Sequence, residues 1–162
     1  MTFAPDITEQ LARARADLRM GVPVVLAGPQ PVLVLAAETL DQQRLVDVLA
    51  LGGAPVLAIT ARRAETLKAR VYDGDLARIL VPGDATPAWV QSIANPADDL
   101  RAPMKGPFAC ARGGDAGAHR AALQLIKSAR LLPAAVVLEI ADAAQFAATH
   151  QLTVLDLKTA AT

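Results

Sequence analysis

The sequence predicts an α/β fold, or an α+β fold with a mixed sheet, in which helices pack on the sheet. Segments with helical periodicity alternate with short apolar runs along most of the 162 residues. Two early apolar runs, at 22–26 and 31–37, are separated by a short Ala-Gly-Pro-Gln connection, which favours a β-hairpin. A hairpin makes its two strands antiparallel, so we expect a sheet that is not wholly parallel.

The N-terminal half alternates helices and strands whose ends carry clear signals. Asp6 and Glu9 match a capping box, and apolar residues at helical spacing continue this helix to about Met20. After the hairpin, Asp41 caps a second helix, which ends before Gly52 and Gly53. The elements expected next are a strand over 55–60, a short helix over 61–69 and a strand over 76–81.

The stretch from Asp115 to Ile140 carries the clearest pattern in the chain. Apolar residues three and four apart predict an amphipathic helix that ends before Pro133. The following run, 134–140, is apolar except for Glu139, which is typical of a strand buried on both faces.

The remaining segments are shorter. In 82–101, proline and glycine break the pattern and only 89–94 favours a helical turn, whereas 106–111 favours a strand. A helix over 142–149 and a strand over 152–155 complete the domain, which we place at 1–157. Residues 158–162 are expected to be a linker or tail.

Composition excludes several classes of protein. Sixteen basic and sixteen acidic side chains cancel, which argues against a broad nucleic-acid or membrane-binding surface, so neither partner is expected. Cys110, the single cysteine, cannot form an internal disulfide, and the N-terminus lacks the features of a secretory signal. We therefore expect a cytoplasmic protein.

Residues that could bind a ligand cluster before the 115–129 helix. Gly113 and Gly114 precede a helix start, where backbone amides can bind a phosphate, and Arg112 adds a cation. A flexible loop is the alternative for the two glycines. His119 follows in the helix as a further ligand-binding candidate. Cys110 and the two histidines lack the paired spacing of a zinc site, so no metal ligands are predicted.

Glu139 is the candidate catalytic residue. A carboxylate in an apolar strand must be paired, hydrogen-bonded or at an exposed strand end, because isolated burial of its charge is costly. A buried carboxylate with a raised pKa would be suited to act as a general base. The pattern alone leaves both a structural and a catalytic role open.

Several segments resemble 3,4-dihydroxy-2-butanone 4-phosphate synthases. The sequence LLPAAVVLEI, ending at Ile140, is similar to that family's Ala-Gly-x-x-Pro-Ala-Ala-Val-x-Cys-Glu-Ile segment, and Glu139 matches its catalytic base or proton shuttle. Further similar segments lie at 12–26, 34–40, 56–67 and 146–157. The resemblance implies the family's mixed-sheet fold, a homodimer and a place in riboflavin biosynthesis.

The sequence departs from the family at its metal and substrate motifs. The acidic loop between the first two strands, which binds the family's divalent metal, is Ala27-Gly28-Pro29-Gln30 here. The Gly-His-Thr-Glu-Ala motif is 117–121, Gly-Ala-His-Arg-Ala, so Ala118 and Arg120 replace the His and Glu. This pattern resembles the degenerate domain at the N-terminus of some bacterial GTP cyclohydrolase II proteins. It implies a structural, dimerising or regulatory role beside a GTP cyclohydrolase II domain, without a cofactor in this chain.

Two alternatives remain open. One is an active synthase that converts ribulose 5-phosphate with Mg²⁺, for which the available carboxylates are Asp98, Asp99, Asp115 and Glu139. The other is a non-catalytic domain that binds a phosphorylated metabolite through Arg112 and the adjacent glycines.

Overall fold

A computed structural model describes residues 3–101 and 106–162. These residues form helices α1 (Ile7–Arg19), α2 (Gln42–Ala50), α3 (Ala61–Leu67), α4 (Pro87–Ala94), α5 (Gly117–Ser128), α6 (Ala143–His150) and α7 (Leu157–Ala160), with a 3₁₀ helix at Pro96–Asp98. The strands are β1 (Val24–Ala27), β2 (Val32–Ala36), β3 (Val56–Thr60), β4 (Leu76–Leu80), β5 (Ala134–Glu139) and β6 (Thr153–Asp156).

The six strands make one mixed sheet in the order β4-β3-β5-β2-β1-β6. β1 and β6 are parallel, whereas the neighbours β1 and β2, β2 and β5, β5 and β3, and β3 and β4 are antiparallel. The predicted hairpin is confirmed by the pairing of Val24 with Val34 and Leu26 with Val32. The mixed sheet expected from the sequence is therefore confirmed.

Polar side chains begin most of the described helices, including the two caps that the sequence indicated. The Asp6 carboxylate accepts the Glu9 amide at 2.8 Å, and the Glu9 carboxylate accepts the Asp6 amide at 3.0 Å. This reciprocal capping box satisfies two amides that the helix itself leaves without partners. Asp41 likewise accepts the Arg44 amide at 2.8 Å at the start of α2.

Helices cover both faces of the sheet. The first layer is α2, α3, α4 and α6, and the second is α1, α5 and α7. Alternate residues of β5 enter the two layers: Val136 and Leu138 the first, Ala135 and Val137 the second. β5 is thus buried on both faces, as its unbroken apolar run predicted. Among the described helices, none has the length and hydropathy needed to cross a membrane.

Two local expectations were wrong. Residues 106–111 form no strand: one isolated bridge joins Cys110 to Ile79 of β4, and the Leu80 amide donates to the Ala109 carbonyl at 2.8 Å. Pro107 has no amide hydrogen with which to extend this pairing. Residues 158–160, expected to lie in a tail, belong to α7, which forms because burial of Ala160 anchors it against the second layer.

Candidate functional site

Glu139 is the exposed last residue of β5. It pairs with Val32 at the start of β2, and the alternation of β5 places its side chain on the face that α5 covers. A carboxylate at the solvent-exposed end of a strand remains hydrated and needs no buried partner. Its position is therefore compatible with packing alone, and also with access to a ligand.

The turn between β1 and β2 lies at this same end of the sheet. A Cβ on Gly28 would come within 3.2 Å of the Leu157 side chain, so the turn packs directly against α7. The Gln30 side-chain amide donates to the Ile140 carbonyl at 3.2 Å, and the Ile140 amide donates to the Pro31 carbonyl at 3.0 Å. The turn is held by apolar and backbone contacts, and it contributes no carboxylate.

The first turn of α5 also reaches this face, but its side chains are engaged elsewhere. Ala118 is partly buried against the second core layer. Arg120 points outward and binds the Asp75 carboxylate through two hydrogen bonds of 2.6 and 2.8 Å. The hydrogen bond from Arg120 is the main cause that holds the pKa of Asp75 below its usual value. Arg120 thus ties α5 to the residue before β4.

A buried polar cluster lies between α5 and β4. Arg78 of β4 binds the Asp73 carboxylate in a two-point contact of 2.9 and 3.0 Å, and donates to the Gly113 carbonyl at 2.7 Å. His119 of α5 is only 6% exposed, and its Nδ1 atom has no hydrogen-bond partner among the described residues. Burial is the largest cause that lowers the pKa of His119 to about 4, with the nearby Arg78 charge next and the Asp73 and Asp115 carboxylates opposing it.

The loop before α5 contains the glycines that the sequence singled out. Gly113 and Gly114 have φ angles of 83° and 71°, a conformation that other residues adopt at a cost. Ala116 at the helix start has no side chain that can cap α5, but the Asp115 carboxylate accepts the Gly117 amide at 2.9 Å. Arg112 extends away and places its guanidinium 5.4 Å from the centre of the Tyr72 ring.

Arg78 is the residue around which the predicted ligand-binding positions meet. It binds the Gly113 carbonyl directly, and its charge is close enough to lower the pKa of His119. Arg112 and Glu139, in contrast, are exposed, and the Arg112 guanidinium lies over the Tyr72 ring. The sequence analysis missed Arg78 and Asp73. Arg78 is a single charged residue in the apolar run 76–81, just as Glu139 is in the run 134–140, and this pattern could have identified it.

The other carboxylates considered as Mg²⁺ ligands are already paired. Asp99 binds Arg63 through two contacts of 2.8 Å, Asp98 binds Arg101, and Asp115 accepts the Gly117 amide at 2.9 Å. Arg63 follows β3, at the opposite end of the sheet from the end of β5. Within 3–101 and 106–162, no three His, Cys, Asp or Glu side chains form a group that could hold a metal. Since Mg²⁺ prefers several carboxylate and water oxygens, these residues do not fit a Mg²⁺ site.

Comparison with known protein sequences gives a relative that matches most of this chain. A protein named GTP cyclohydrolase-2 from Azospirillum brasilense is 32% identical over 149 residues, which cover 86% of this chain. The match spans only 38% of that relative's length. No protein-family model matches the chain.

Comparison of folds gives a consistent set of enzymes. A 3,4-dihydroxy-2-butanone 4-phosphate synthase of Candida albicans matches with a TM-score of 0.66 and 16% identity over 98% of this chain and 96% of that one. A synthase in complex with two magnesium ions matches at 0.60 and 18% identity, over 96% and 94% of the two chains. A two-domain synthase from A. baumannii matches at 0.61 and 19%, over 92% of this chain and 56% of that one.

Proposed function

Because the chain has the fold of 3,4-dihydroxy-2-butanone 4-phosphate synthases, we propose that it is a catalytically degenerate domain of that type in riboflavin biosynthesis. Its role is structural, dimerising or regulatory, and it supports a GTP cyclohydrolase II activity carried by another domain or protein. The similarity to the relative named GTP cyclohydrolase-2 supports this association. A homodimer in the cytoplasm belongs to the same proposal.

The observation that carries the proposal is what occupies the positions of two family motifs, one in the β1–β2 turn beside the end of β5 and one in the first turn of α5. Gly28 and Leu157 pack where the family's acidic loop would offer metal ligands, and Arg120 is bound to Asp75 where the family has a Glu. Only Glu139 retains a family catalytic side chain. A lone carboxylate can move a proton, but it lacks the partners that would polarise a sugar-phosphate carbonyl and stabilise the charge that develops.

The decisive test is turnover of ribulose 5-phosphate with Mg²⁺. We expect no release of formate above the protein-free background, both for the unmodified chain and for Glu139→Gln. The Candida albicans synthase serves as the positive control under the same conditions. Formate release that requires Mg²⁺ and disappears in Glu139→Gln would show that the domain is an active synthase.

A second candidate function is the binding of a phosphorylated metabolite without chemistry. It is favoured by the Gly113-Gly114 loop, whose two glycines have positive φ angles and directly precede the start of α5. A ligand that binds only the folded state raises the melting temperature. We therefore expect ribulose 5-phosphate to raise the melting temperature of the chain only if this second function holds.

The proposed support of a GTP cyclohydrolase II is tested on a protein that contains both domains. Removal of residues 1–157 is expected to lower its GTP turnover or change its oligomeric state. Size-exclusion chromatography with light scattering measures the state of the isolated chain, for which we expect a dimer. An unchanged turnover together with a monomeric chain would contradict both roles.

A further inference from the structure

A cleft of about 930 Å³ lies beside the edge strand β4. Its walls are the C-terminal end of α3, the connection that follows it, and the segment 106–110. The apolar residues of these walls, among them Leu67, Phe108 and Cys110, pack against the first core layer. The cleft is therefore on the opposite face of the sheet from α5 and Glu139. Its volume is within the range of small-molecule sites.

The cleft carries a local excess of positive charge in a chain of zero net charge. Lys68 and Arg70 line it and are exposed, and within the described residues neither forms an ion pair. A third cation, Arg112, stacks over the lining Tyr72 ring. The carboxylate in the lining, Asp99, is bound to Arg63, so it does not offset these charges.

The cleft also has a wall of aromatic and aliphatic surface. Phe108 is partly buried and contacts Trp89, with their ring centres 6.4 Å apart and their planes tilted by 55°. Tyr72 lies on the same lining, with Leu67 beside it. Tyr72 and Phe108 are two of the five Trp, Tyr and Phe residues of the chain. Rings of this kind stack on flat ligands.

The backbone conformation at the end of α3 fixes the position of the Lys68 Cα atom. Lys68 ends α3 in the left-handed conformation, with φ of 60°, and its amide donates to the Glu65 carbonyl at 3.1 Å. Arg70 follows after Ala69, which is buried in the first core layer. The two cations are therefore anchored on either side of a buried residue, and only their side chains need to be ordered by a ligand.

We propose that this cleft binds a small planar aromatic molecule that carries a phosphate or another strongly acidic group. The flat ring stacks against Phe108 and Tyr72, and the acidic group binds Lys68 and Arg70 through charge-assisted hydrogen bonds. The site is separate from the end of β5, so it does not depend on whether the domain turns over a sugar phosphate.

Three probes distinguish binding of the aromatic ring from binding of the acidic group. 8-Anilinonaphthalene-1-sulfonate has both rings and an acidic group, N-phenyl-1-naphthylamine has the same rings without the acid, and sulfate has the charge alone. Isothermal titration is expected to give the tightest binding for the sulfonate. In a ¹H–¹⁵N spectrum, its addition is expected to shift the amides of 66–72 and 108–110.

A matched pair of double variants tests the cations. Lys68→Gln/Arg70→Gln is expected to weaken sulfonate binding about tenfold and to leave binding of the neutral ring compound unchanged. Lys127→Gln/Arg130→Gln removes the same charge from exposed positions of α5 and its end, where Arg130 also has a positive φ of 62°. This control is expected to bind like the unmodified chain.

The opposite results would overturn the proposal. Equal affinity for the sulfonate and the neutral ring compound would show that the cations take no part. Equal weakening in the two double variants would show an effect of net charge only. Amide shifts confined to residues outside the cleft would place the binding elsewhere.

Discussion

Acidification is expected to destabilise the domain through His119. Its pKa is about 4 in the folded chain, below the ordinary value of 6.5, so the unfolded chain binds more protons between these values. The free energy of unfolding therefore falls as the pH drops from about 6.5 towards 4. The shift corresponds to about 3 kcal/mol in total, of which about 2 kcal/mol is lost between pH 7 and pH 5.

The variant His119→Met isolates this contribution, because methionine has a similar volume, adapts to irregular space and does not titrate. Urea unfolding followed by circular dichroism at pH 7, 6 and 5 measures the free energy of unfolding for both proteins. The difference between them is expected to change by about 2 kcal/mol over this range in favour of the variant. His150→Gln, which replaces an exposed histidine, controls for the loss of a histidine as such. Parallel pH profiles of the unmodified chain and His119→Met would refute the reasoning.

Three further predictions concern stability at neutral pH, measured by urea unfolding. Arg63→Met is expected to cost about 3 kcal/mol, because it leaves the Asp99 carboxylate and two carbonyls without Arg63, and Asp99→Asn should cost less. Gly21→Ala is expected to cost about 2 kcal/mol, since φ is 81° and a Cβ would lie 2.8 Å from the Thr39 carbonyl oxygen. Asp6→Ala removes the capping box and is expected to cost about 1 kcal/mol, with Asp6→Asn close to the unmodified chain. A change below a third of the stated value in any of the three would contradict the assigned contact.

Local signals in the sequence were sufficient for most of the fold. The capping box at Asp6, the hairpin connection and the apolar run of β5 each depend on residues close together in the chain, and each formed as predicted. The strand expected at 106–111 does not form. A strand requires a partner along its length, and this segment pairs with β4 at one bridge only. The helix α7 was missed because its stability comes from distant contacts, such as that of Leu157 with Gly28.

Less of the candidate site than of the fold could be predicted from the sequence. Charged residues are normally exposed, so a buried pair such as Arg78 and Asp73 is visible only when the strand run around it is recognised as buried. The cleft beside β4 could not be predicted, because it joins residues 66–72 to residues 106–110 through the fold. Arg112 was selected for its neighbouring glycines, yet its guanidinium lies over Tyr72. The positions of these side chains are determined by tertiary contacts, which a local sequence pattern does not show.

Glu139 and Arg78 differ in how strongly the surrounding fold depends on their charges. Glu139 is hydrated at a strand end, so keeping it there requires little of the surrounding fold, and its presence alone is weak support for catalysis. Arg78 is buried, forms an ion pair with Asp73 and donates to the Gly113 carbonyl, and loss of either side chain of the ion pair would leave a desolvated charge without its partner. The fold therefore depends on the polar residues between β4 and α5. The end of β5 can change its chemistry, because its contacts at Gly28 and Gln30 are apolar or made to the backbone.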